Sequence, residues 1–126
     1  MTQEAQTYKF RHLYDRQLQY LADQDIDGML AAHYNDDASL LNFESYAVGK
    51  DQLREFFRNY LAGLGHVKVL STDQYAEGDD SISFQATVET QHGIARVYDV
   101  FVLRDGKIWR HFGGVISFTP NAPANS

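Results

Sequence analysis

The sequence of 126 residues contains no cysteine and only 2 prolines. The absence of cysteine excludes a disulfide framework, a cysteine-ligated zinc site and thiol catalysis. No apolar run approaches the ~20 residues that a membrane-spanning helix needs. The formal charge is −6 and no stretch is rich in lysine and arginine, so nucleic acid and anionic membranes are unfavourable partners.

Several catalytic and cofactor motifs are also missing. The 5 histidines show neither His-x-x-x-His nor His-x-x-Glu-His spacing, which argues against a metal site. There is no glycine-rich phosphate loop and no Gly-x-Ser-x-Gly motif. The first six residues are polar and lack the apolar segment of a signal peptide. We therefore expect a cytoplasmic protein that works without a metal or a cofactor.

Length and composition predict one domain, residues 1–118, followed by a short polar tail, residues 119–126. Hydrophobic residues make up 44% of the chain, including 8 tyrosines, 8 phenylalanines and 1 tryptophan. Aromatic residues at this frequency are typical of β-structure and suit the walls of an apolar cavity, although they fill ordinary cores equally well.

Apolar residues at helical spacing predict three helices in the first half of the chain. They cover residues 3–23, 25–33 and 50–62. Gln17 lies on or beside the buried stripe of the first helix, either as a hydrogen-bonded residue at its edge or as a group aimed into a cavity. Asp25 is placed to cap the second helix. His33 lies on the apolar side of that helix, where a core histidine is commoner than a catalytic one.

The other apolar segments predict β-strands, because β-branched and aromatic residues alternate there with polar ones. The strands cover residues 38–43, 46–48, 67–76, 81–89, 95–103 and 108–118. Asn35, Asp36 and Asp37 are typical turn residues between the second helix and the first strand. Helices followed by a run of antiparallel strands predict an α+β fold, with the helices packed on one face of a curled sheet.

The hairpin formed by the last two strands decides which side chains share a face. If residues 104–106 form a three-residue loop, Asp99 pairs with His111. An acid and an imidazole then lie side by side on a largely apolar ribbon. A two-residue loop instead pairs Asp99 with Phe112 and separates the two groups. The register is therefore itself a prediction that the sequence does not decide, and the pairing of Asp99 with His111 depends on the three-residue loop.

The opposite face of this hairpin is apolar as well. A sheet that is covered by helices on one side only leaves such a face exposed, which favours a partner, most simply a second copy of the chain. The residues on this predicted homodimer face are Tyr98, Val100, Val102, Phe112 and Ile116.

Four segments between roughly residues 8 and 118 carry a family resemblance through their order and spacing. They are Asp25-Ile-Asp-Gly28, Asp36-Asp-Ala38, Gly49-Lys-Asp-Gln-Leu-Arg-Glu-Phe-Phe57 and Asp99-Val-Phe-Val-Leu-Arg-Asp-Gly-Lys-Ile108. In this arrangement the chain resembles the SnoaL-like and ketosteroid-isomerase-like branch of the nuclear-transport-factor-like superfamily. The resemblance implies a cone: a strongly bent antiparallel sheet that wraps three helices around an internal pocket and is often dimeric through its outer face.

The resemblance also implies roles for single residues. Likeness to ketosteroid isomerase implies an oxyanion-stabilising acid at Asp99, kept neutral by an apolar site. The proton-shuttling aspartate of that enzyme falls on Asn42, which cannot accept a proton at neutral pH. Its oxyanion-hole tyrosine falls near Gln17, one turn after Tyr14. SnoaL-like cyclases carry an aspartate two residues after the histidine of the terminal strand, and that position is Gly113 here.

The candidate site therefore centres on Asp99 and His111, with the carboxylate orienting the imidazole as a general base. One hypothesis is a cofactor-independent isomerase, cyclase or hydrolyase that acts on a small, hydrophobic, carbonyl-bearing molecule. The alternative is a non-catalytic ligand-binding or dimerisation module in which the two groups satisfy each other. The predicted pocket residues are Tyr14, Gln17, His33, Asn42, Phe56, Phe84, Phe101, Trp109 and Gly113.

Overall fold

Three helices lie against a six-stranded sheet in the structure, a computed structural model that describes residues 8–122. The helices are α1 (Arg11–Asp23), α2 (Ile26–His33) and α3 (Gly49–Leu64). The strands are β1 (Tyr34–Leu41), β2 (Tyr46–Val48), β3 (Val67–Glu77), β4 (Ser81–Thr90), β5 (Gly93–Arg104) and β6 (Lys107–Pro120). No helix within residues 8–122 is long and apolar enough to cross a membrane.

The sheet is curved and unclosed, with the strand order β2-β1-β6-β5-β4-β3. The predicted α+β fold, a bent sheet around three helices, is confirmed. One pair, β1 with β6, runs parallel, whereas the other neighbouring strands are antiparallel. A parallel pair requires a long connection, and α3 together with four strands lies between β1 and β6.

Helix α1 begins later than residue 3, the start predicted from its apolar stripe. Residues 3–7 lie outside the described part of the chain, and residues 8–10 are not helical. The backbone N–H groups of Lys9 and Phe10 donate to the Glu77 carboxylate at 2.8 and 3.0 Å. These bonds tie the chain to the end of β3, so the helix begins only after them.

Helix α2 begins as predicted, with Asp25 as its cap. The Asp25 side chain accepts from the backbone N–H of Gly28 at 3.0 Å, which satisfies one of the donors left free in the first helical turn. A Cβ at position 28 would overlap the Asp25 carboxylate. Gly28 is therefore required by the cap itself, and not by packing against another element.

The turn predicted at Asn35, Asp36 and Asp37 is wrong, because these residues belong to β1. The Asn35 amide donates to the Arg104 carbonyl at 3.2 Å, and the Asp37 carboxylate forms an ion pair with the Arg104 guanidinium. The pairing of β1 with β6 is irregular between Tyr34 and Ser39. Polar residues can occupy this stretch because their side chains bind to the end of β5.

The three-residue loop that the pairing of Asp99 with His111 requires does not form between the last two strands. Asp105 and Gly106 alone form the turn, both with positive φ, 56° and 77°, and Arg104 pairs with Lys107. Two central residues with positive φ are the signature of a type I′ turn, whose twist matches that of antiparallel strands.

A β-bulge at Trp109 restores the shared face that this shorter turn would have removed. Leu103 pairs with Ile108, but Val102 pairs with Arg110, so Trp109 is the extra residue in β6. From Arg110 to Val115, the residues of β6 face the side opposite to the one that an uninterrupted ladder would give them, and a second register shift at Ile116 ends this stretch.

Asp99 consequently pairs with Gly113, while His111 pairs with Phe101. The acid and the imidazole lie on the same face as diagonal neighbours and are not directly opposite each other. The predicted pairing is thus wrong by two residues, an even shift that keeps the facing of both side chains.

Strand β6 includes Thr119 and Pro120, which the sequence assigned to the polar tail. Pro120 pairs with Gly93, and the backbone N–H of Asn121 donates to the His92 carbonyl at 2.9 Å. The strand therefore runs two residues past the predicted boundary. Residues 123–126 lie outside the described part of the chain.

The core lies between the helices and the sheet. Its largest fully buried side chains are mainly aromatic and aliphatic, and they include one amide. They are Tyr14, Tyr34, Phe101, Met29, Leu30, Leu53, Ile82, Ile108 and Gln17. A buried amide needs hydrogen-bond partners, and those of Gln17 lead to the candidate site.

The turn geometry predicts opposite effects for two alanine substitutions. A Cβ would meet nothing within 4 Å at Gly63 or at Gly106, but only Gly106 has a positive φ. We expect Gly106→Ala to lower the free energy of unfolding by about 1 kcal/mol and Gly63→Ala, within α3, to raise it by up to about 1 kcal/mol. Urea denaturation of both variants measures the free energy of unfolding. A change of the same sign in the two variants would contradict the assigned turn.

Candidate functional site

A cavity of about 920 Å³ opens between the sheet and helices α1 and α3. Most of its wall is apolar. The apolar lining residues are Leu18, Leu21, Leu40, Ala47, Phe56, Phe57, Val67, Val69, Phe84, Ala86, Val88, Val97, Phe101 and Val115. Asp99, His111 and Gln17 bring polar atoms to the same space. This size and composition are those of a small-molecule pocket.

Asp99 and His111 are joined by a hydrogen bond of 2.8 Å between Asp99 Oδ1 and His111 Nε2. The His111 side chain is 9% exposed and that of Asp99 is 22% exposed. Gly113, directly across the ladder from Asp99, makes this geometry possible, since a Cβ there would overlap Oδ1. The missing side chain at 113 is the space that the carboxylate occupies.

The other ring nitrogen of His111 is occupied as well. His111 Nδ1 lies 3.0 Å from the hydroxyl of Tyr34, which is fully buried at the start of β1. Both nitrogens of the imidazole are therefore engaged by protein groups. By contrast, Asp99 Oδ2 has no hydrogen-bond donor within residues 8–122. The free acceptor of this pair is the carboxylate and not the imidazole.

The hydrogen-bond chain continues from Tyr34 into the helical layer. Gln17 Nε2 donates to the Tyr34 hydroxyl at 3.1 Å, and Gln17 Oε1 lies 2.8 Å from His33 Nδ1. Five residues from β5, β6, β1, α1 and α2 thus form one buried polar chain that ends at Asp99 in the cavity. Gln17 is hydrogen-bonded and also lines the cavity, so both of its predicted roles occur together.

Tyr34 is the member of this hydrogen-bond chain that the sequence did not predict. Its signal was a lone aromatic residue directly after a helix and before three polar residues. Because those residues were taken for a turn, no strand was expected at position 34. An extended β1 would have placed Tyr34 in the sheet.

Burial sets the electrostatics of the pair. The pKa of Asp99 is raised above its ordinary value because burial disfavours the charged carboxylate, while the hydrogen bond and charge of His111 act in the opposite direction. Burial likewise raises the pKa of the Tyr34 hydroxyl, against the effect of the Gln17 hydrogen bond. Tyr34 therefore stays protonated and always has one hydrogen to donate.

The structure brings most of the predicted pocket residues to the cavity. Those that line it, besides Asp99 and His111, are Gln17, Asn42, Phe56, Phe84, Phe101 and Gly113. Three predicted pocket residues are not among the lining residues, namely Tyr14, His33 and Trp109.

Each of these three has another role. Tyr14 packs edge-on against Phe84, and its hydroxyl bonds to Thr72 Oγ1 at 2.5 Å. His33 lies behind Gln17, at the far end of the polar chain. Trp109, displaced by the bulge, packs against the guanidinium groups of Arg104 and Arg110.

Asn42 shapes the wall of the cavity through its loop. Asn42 Oδ1 accepts from the backbone N–H groups of Glu44 and Ser45 at 2.9 and 2.6 Å. This turn ends β1 at Leu41, two residues before the predicted end. The Asn42 amide therefore holds the loop between β1 and β2.

The cavity lining has a marked charge asymmetry. Glu44, Asp51 and Glu55 contribute carboxylates in addition to Asp99, whereas no lysine or arginine is among the lining residues. A negative lining disfavours an anionic ligand. Within residues 8–122 there is no group of three or more histidine, aspartate or glutamate side chains that could hold a metal ion.

The comparisons with known proteins agree with this architecture. The model of the SnoaL-like domain family matches residues 14–111, so the resemblance drawn from the four segments is confirmed. No curated protein matches the chain.

Solved structures with the same fold are distant in sequence. An NTF2-like protein from Anabaena variabilis has a TM-score of 0.75 and 19% identity, over 90% of this chain and 96% of that one. TerC, crystallised with polyporic acid, has a TM-score of 0.72 and 18% identity, over 83% and 89%. A candidate polyketide cyclase from Sinorhizobium meliloti has a TM-score of 0.72 and 12% identity, over 82% and 94%. At these identities the likeness shows the fold alone.

The raised pKa of Asp99 predicts that this residue costs stability at neutral pH. Because the pKa is higher in the folded chain than its ordinary value of 3.8, the folded state loses stability as the pH rises and the carboxylate ionises. We expect Asp99→Asn to be more stable than the wild type at pH 7, by about 1.4 kcal/mol per unit of pKa difference. The advantage should vanish below the ordinary pKa.

Urea denaturation between pH 3 and pH 8 measures this difference. Asp79→Asn serves as the control, since it removes an exposed carboxylate far from the cavity. Its effect should be small at every pH. A gain in Asp99→Asn that does not change with pH would contradict the assignment.

Proposed function

The chain belongs to the SnoaL-like family, and on that premise we propose that it binds a small, largely apolar, carbonyl-bearing molecule and transfers a proton on it without a cofactor. The observation that carries this proposal is the free oxygen of a buried carboxylate, Asp99 Oδ2, at an apolar cavity of about 920 Å³. A desolvated carboxylate with a raised pKa is suited to general acid–base catalysis.

Asp99 is the proton acceptor in this mechanism. Its free oxygen removes a proton from the C–H group next to the substrate carbonyl, and the resulting carboxylic acid returns the proton to another atom of the substrate. The first step forms an enolate and the second protonates it, so no other reactant is needed. This is the chemistry of a cofactor-independent isomerase or cyclase.

His111 is a positioning residue for this carboxylate and not the general base that the sequence favoured. Its Nε2–H group holds Asp99 Oδ1, while its Nδ1 is occupied by Tyr34. The imidazole therefore fixes the direction of the free oxygen and stabilises the ionised acid between turnovers.

The walls of the cavity support a flat, apolar substrate. Phe56, Phe84 and Phe101 present aromatic rings to it. The relatives crystallised with polyporic acid and named as a candidate polyketide cyclase support a cyclic or polyketide-type compound. Four carboxylates line the cavity, of which Asp51 is paired with Arg54. With no lysine or arginine among the lining residues themselves, this lining favours a neutral form of such a compound over an anionic one.

The charge of the lining gives a direct binding test. The neutral ketone 2-acetylnaphthalene and the anion 2-naphthoate have similar shapes and differ in charge. We expect the ketone to bind at least about tenfold more tightly at pH 7.5, by isothermal titration calorimetry. Asp99→Asn, which removes the charge of Asp99, should reduce the difference in affinity between the ketone and the anion. Tighter binding of the anion to the wild type would contradict the proposed ligand class.

Catalysis is tested by proton exchange. 2-Tetralone in D₂O exchanges its acidic C–H protons, and NMR spectroscopy follows the loss of their signals. We expect Asp99→Asn to slow the protein-catalysed exchange by about 100-fold or more and Asp79→Asn to leave it unchanged. His111→Ala should slow it less, because the carboxylate remains. Binding of the ketone without any exchange would favour the alternative function, a non-catalytic ligand-binding module.

We also propose that a second copy of the chain covers the outer face of the hairpin. Phe112 and Ile116 are 37% and 45% exposed, and Tyr98, Val100 and Val102 are half-buried beside them. Tyr98, Val100, Val102 and Phe112 alternate in the ladder with residues that face the cavity, and Ile116 is the unpaired residue at a second register shift. An apolar face of this kind favours a symmetric dimer.

Sedimentation velocity tests the dimer. We expect the wild type to sediment as a dimer and Phe112→Glu as a monomer, because a charge at the centre of an apolar interface is costly. Phe43→Glu is the matched control, since Phe43 is 94% exposed in the loop between β1 and β2, away from this face. A monomeric wild type, or a dimer in both variants, would contradict the proposal.

A further inference from the structure

His33 is a buried titratable residue to which the proposed mechanism gives no role. It is 8% exposed, at the end of α2, with its ring edge-on to Tyr20 at a centroid distance of 5.2 Å. Burial, followed by the charges of Arg16 and His12, lowers the pKa of His33 to about 4. At neutral pH this ring is therefore neutral and carries one proton.

The position of that proton follows from the partner of the ring. His33 Nδ1 lies 2.8 Å from Gln17 Oε1, and an amide oxygen can only accept. The proton of His33 is therefore on Nδ1. With its oxygen directed to His33, the Gln17 amide directs its nitrogen to Tyr34, to whose hydroxyl it donates at 3.1 Å.

The directions of the next two hydrogen bonds, from Tyr34 to the cavity, follow in the same way. Its hydroxyl oxygen accepts from Gln17, so its single hydrogen is directed to His111 Nδ1 at 3.0 Å. A neutral His111 must then carry its proton on Nε2, which donates to Asp99 Oδ1 at 2.8 Å. Every donor in the chain thus points from His33 toward Asp99, and the carboxylate at the end accepts.

Protonation of the His111 imidazole is incompatible with this direction, whereas protonation of the free Asp99 Oδ2 leaves it unchanged. An imidazole that gains a proton carries hydrogens on both nitrogens, and one that gives its Nε2 proton to Asp99 Oδ1 takes the new proton on Nδ1. In either form His111 Nδ1 becomes a donor, so Tyr34 must turn its hydrogen to Gln17. The Gln17 amide must then flip, and His33 must move its proton to Nε2.

We propose that His33, Gln17 and Tyr34 are positioning residues that hold His111 neutral with its proton on Nε2, so that the free oxygen of Asp99 is the atom at which the pair gains a proton. Proton uptake by the imidazole is thereby coupled to the reversal of a hydrogen-bond chain that ends at His33, whereas proton uptake at Asp99 Oδ2 is not. This inference deepens the role proposed for Asp99, but its test requires no ligand and no turnover.

Other charged and titratable groups near the chain do not supply this control. Tyr60 and Tyr14 face Asp99, and burial raises the pKa of both hydroxyls, so they remain neutral. Arg16 and His12 act on His33 from α1. No lysine or arginine is among the cavity-lining residues, which leaves the hydrogen-bond chain as the support of the ionised carboxylate.

The test is an NMR titration of the full chain with ¹⁵N-labelled histidine. Long-range ¹H–¹⁵N spectra distinguish a ring nitrogen that carries a proton from one that accepts. In the wild type at neutral pH we expect His111 to carry its proton on Nε2 and to accept at Nδ1. As the pH falls, the midpoint at which His111 Nδ1 ceases to be an acceptor marks proton uptake by the imidazole.

Two variants disturb the hydrogen-bond chain at different residues. His33→Phe keeps the ring contact with Tyr20 but removes the donor that orients Gln17. We expect it to raise the midpoint of proton uptake by about one pH unit, since one hydrogen bond no longer opposes the reversal. Gln17→Glu accepts from both neighbours, and we expect it to raise the midpoint further and to move the His111 proton to Nδ1.

Gln74→Glu is the charge-matched control, because Gln74 is exposed on β3 and should leave the midpoint unchanged. A folded His33→Phe with the wild-type midpoint would overturn the proposal, as would a wild-type His111 that carries its proton on Nδ1. If Gln17→Glu does not fold, His33→Phe decides alone. If the midpoints shift as expected but the protein does not catalyse proton exchange, the result contradicts the proposed function and not the role of the hydrogen-bond chain.

Discussion

The hydrogen bond between His111 Nε2 and Asp99 Oδ1 is the interaction on which the candidate site depends. It joins two strands at diagonal positions, and two features of β6 allow it. The bulge at Trp109 turns His111 to the cavity, and Gly113 leaves space for the carboxylate. Neither feature contributes a functional group, yet without either one the acid and the imidazole would not meet over the same cavity.

The position of the acid distinguishes this chain from the cyclases that it resembles. Those proteins place an aspartate on the terminal strand, two residues after the histidine, at the position of Gly113. Here the acid stands on the neighbouring strand, at Asp99, directly across the ladder. A side chain at 113 would overlap the Asp99 carboxylate in its present position. Gly113 therefore leaves the space in which the acid of the neighbouring strand lies.

The sequence predicted the α+β fold, the three helices and the shared face of Asp99 and His111. These features follow from the spacing of apolar residues, which is visible within the sequence of each helix or strand taken alone. The prediction failed where the outcome depended on distant contacts. Asn35 and Asp37 read as a turn but bind Arg104 from the far end of β5. The bulge at Trp109 has no local signature, and Tyr34 acquires its role only through partners on α1 and β6.

The bulge has a consequence for comparing this chain with its relatives. Residues of β6 up to Ile108 and those from Arg110 to Val115 belong to two different facing registers, offset by the one residue between them. An alignment that matches the strand without a gap at Trp109 would equate inward residues of one protein with outward residues of another. A relative without the extra residue would present its histidine to the outer face of the sheet instead. Family-wide assignment of the site should therefore start from pairing with β5, and not from distance along the chain after the turn.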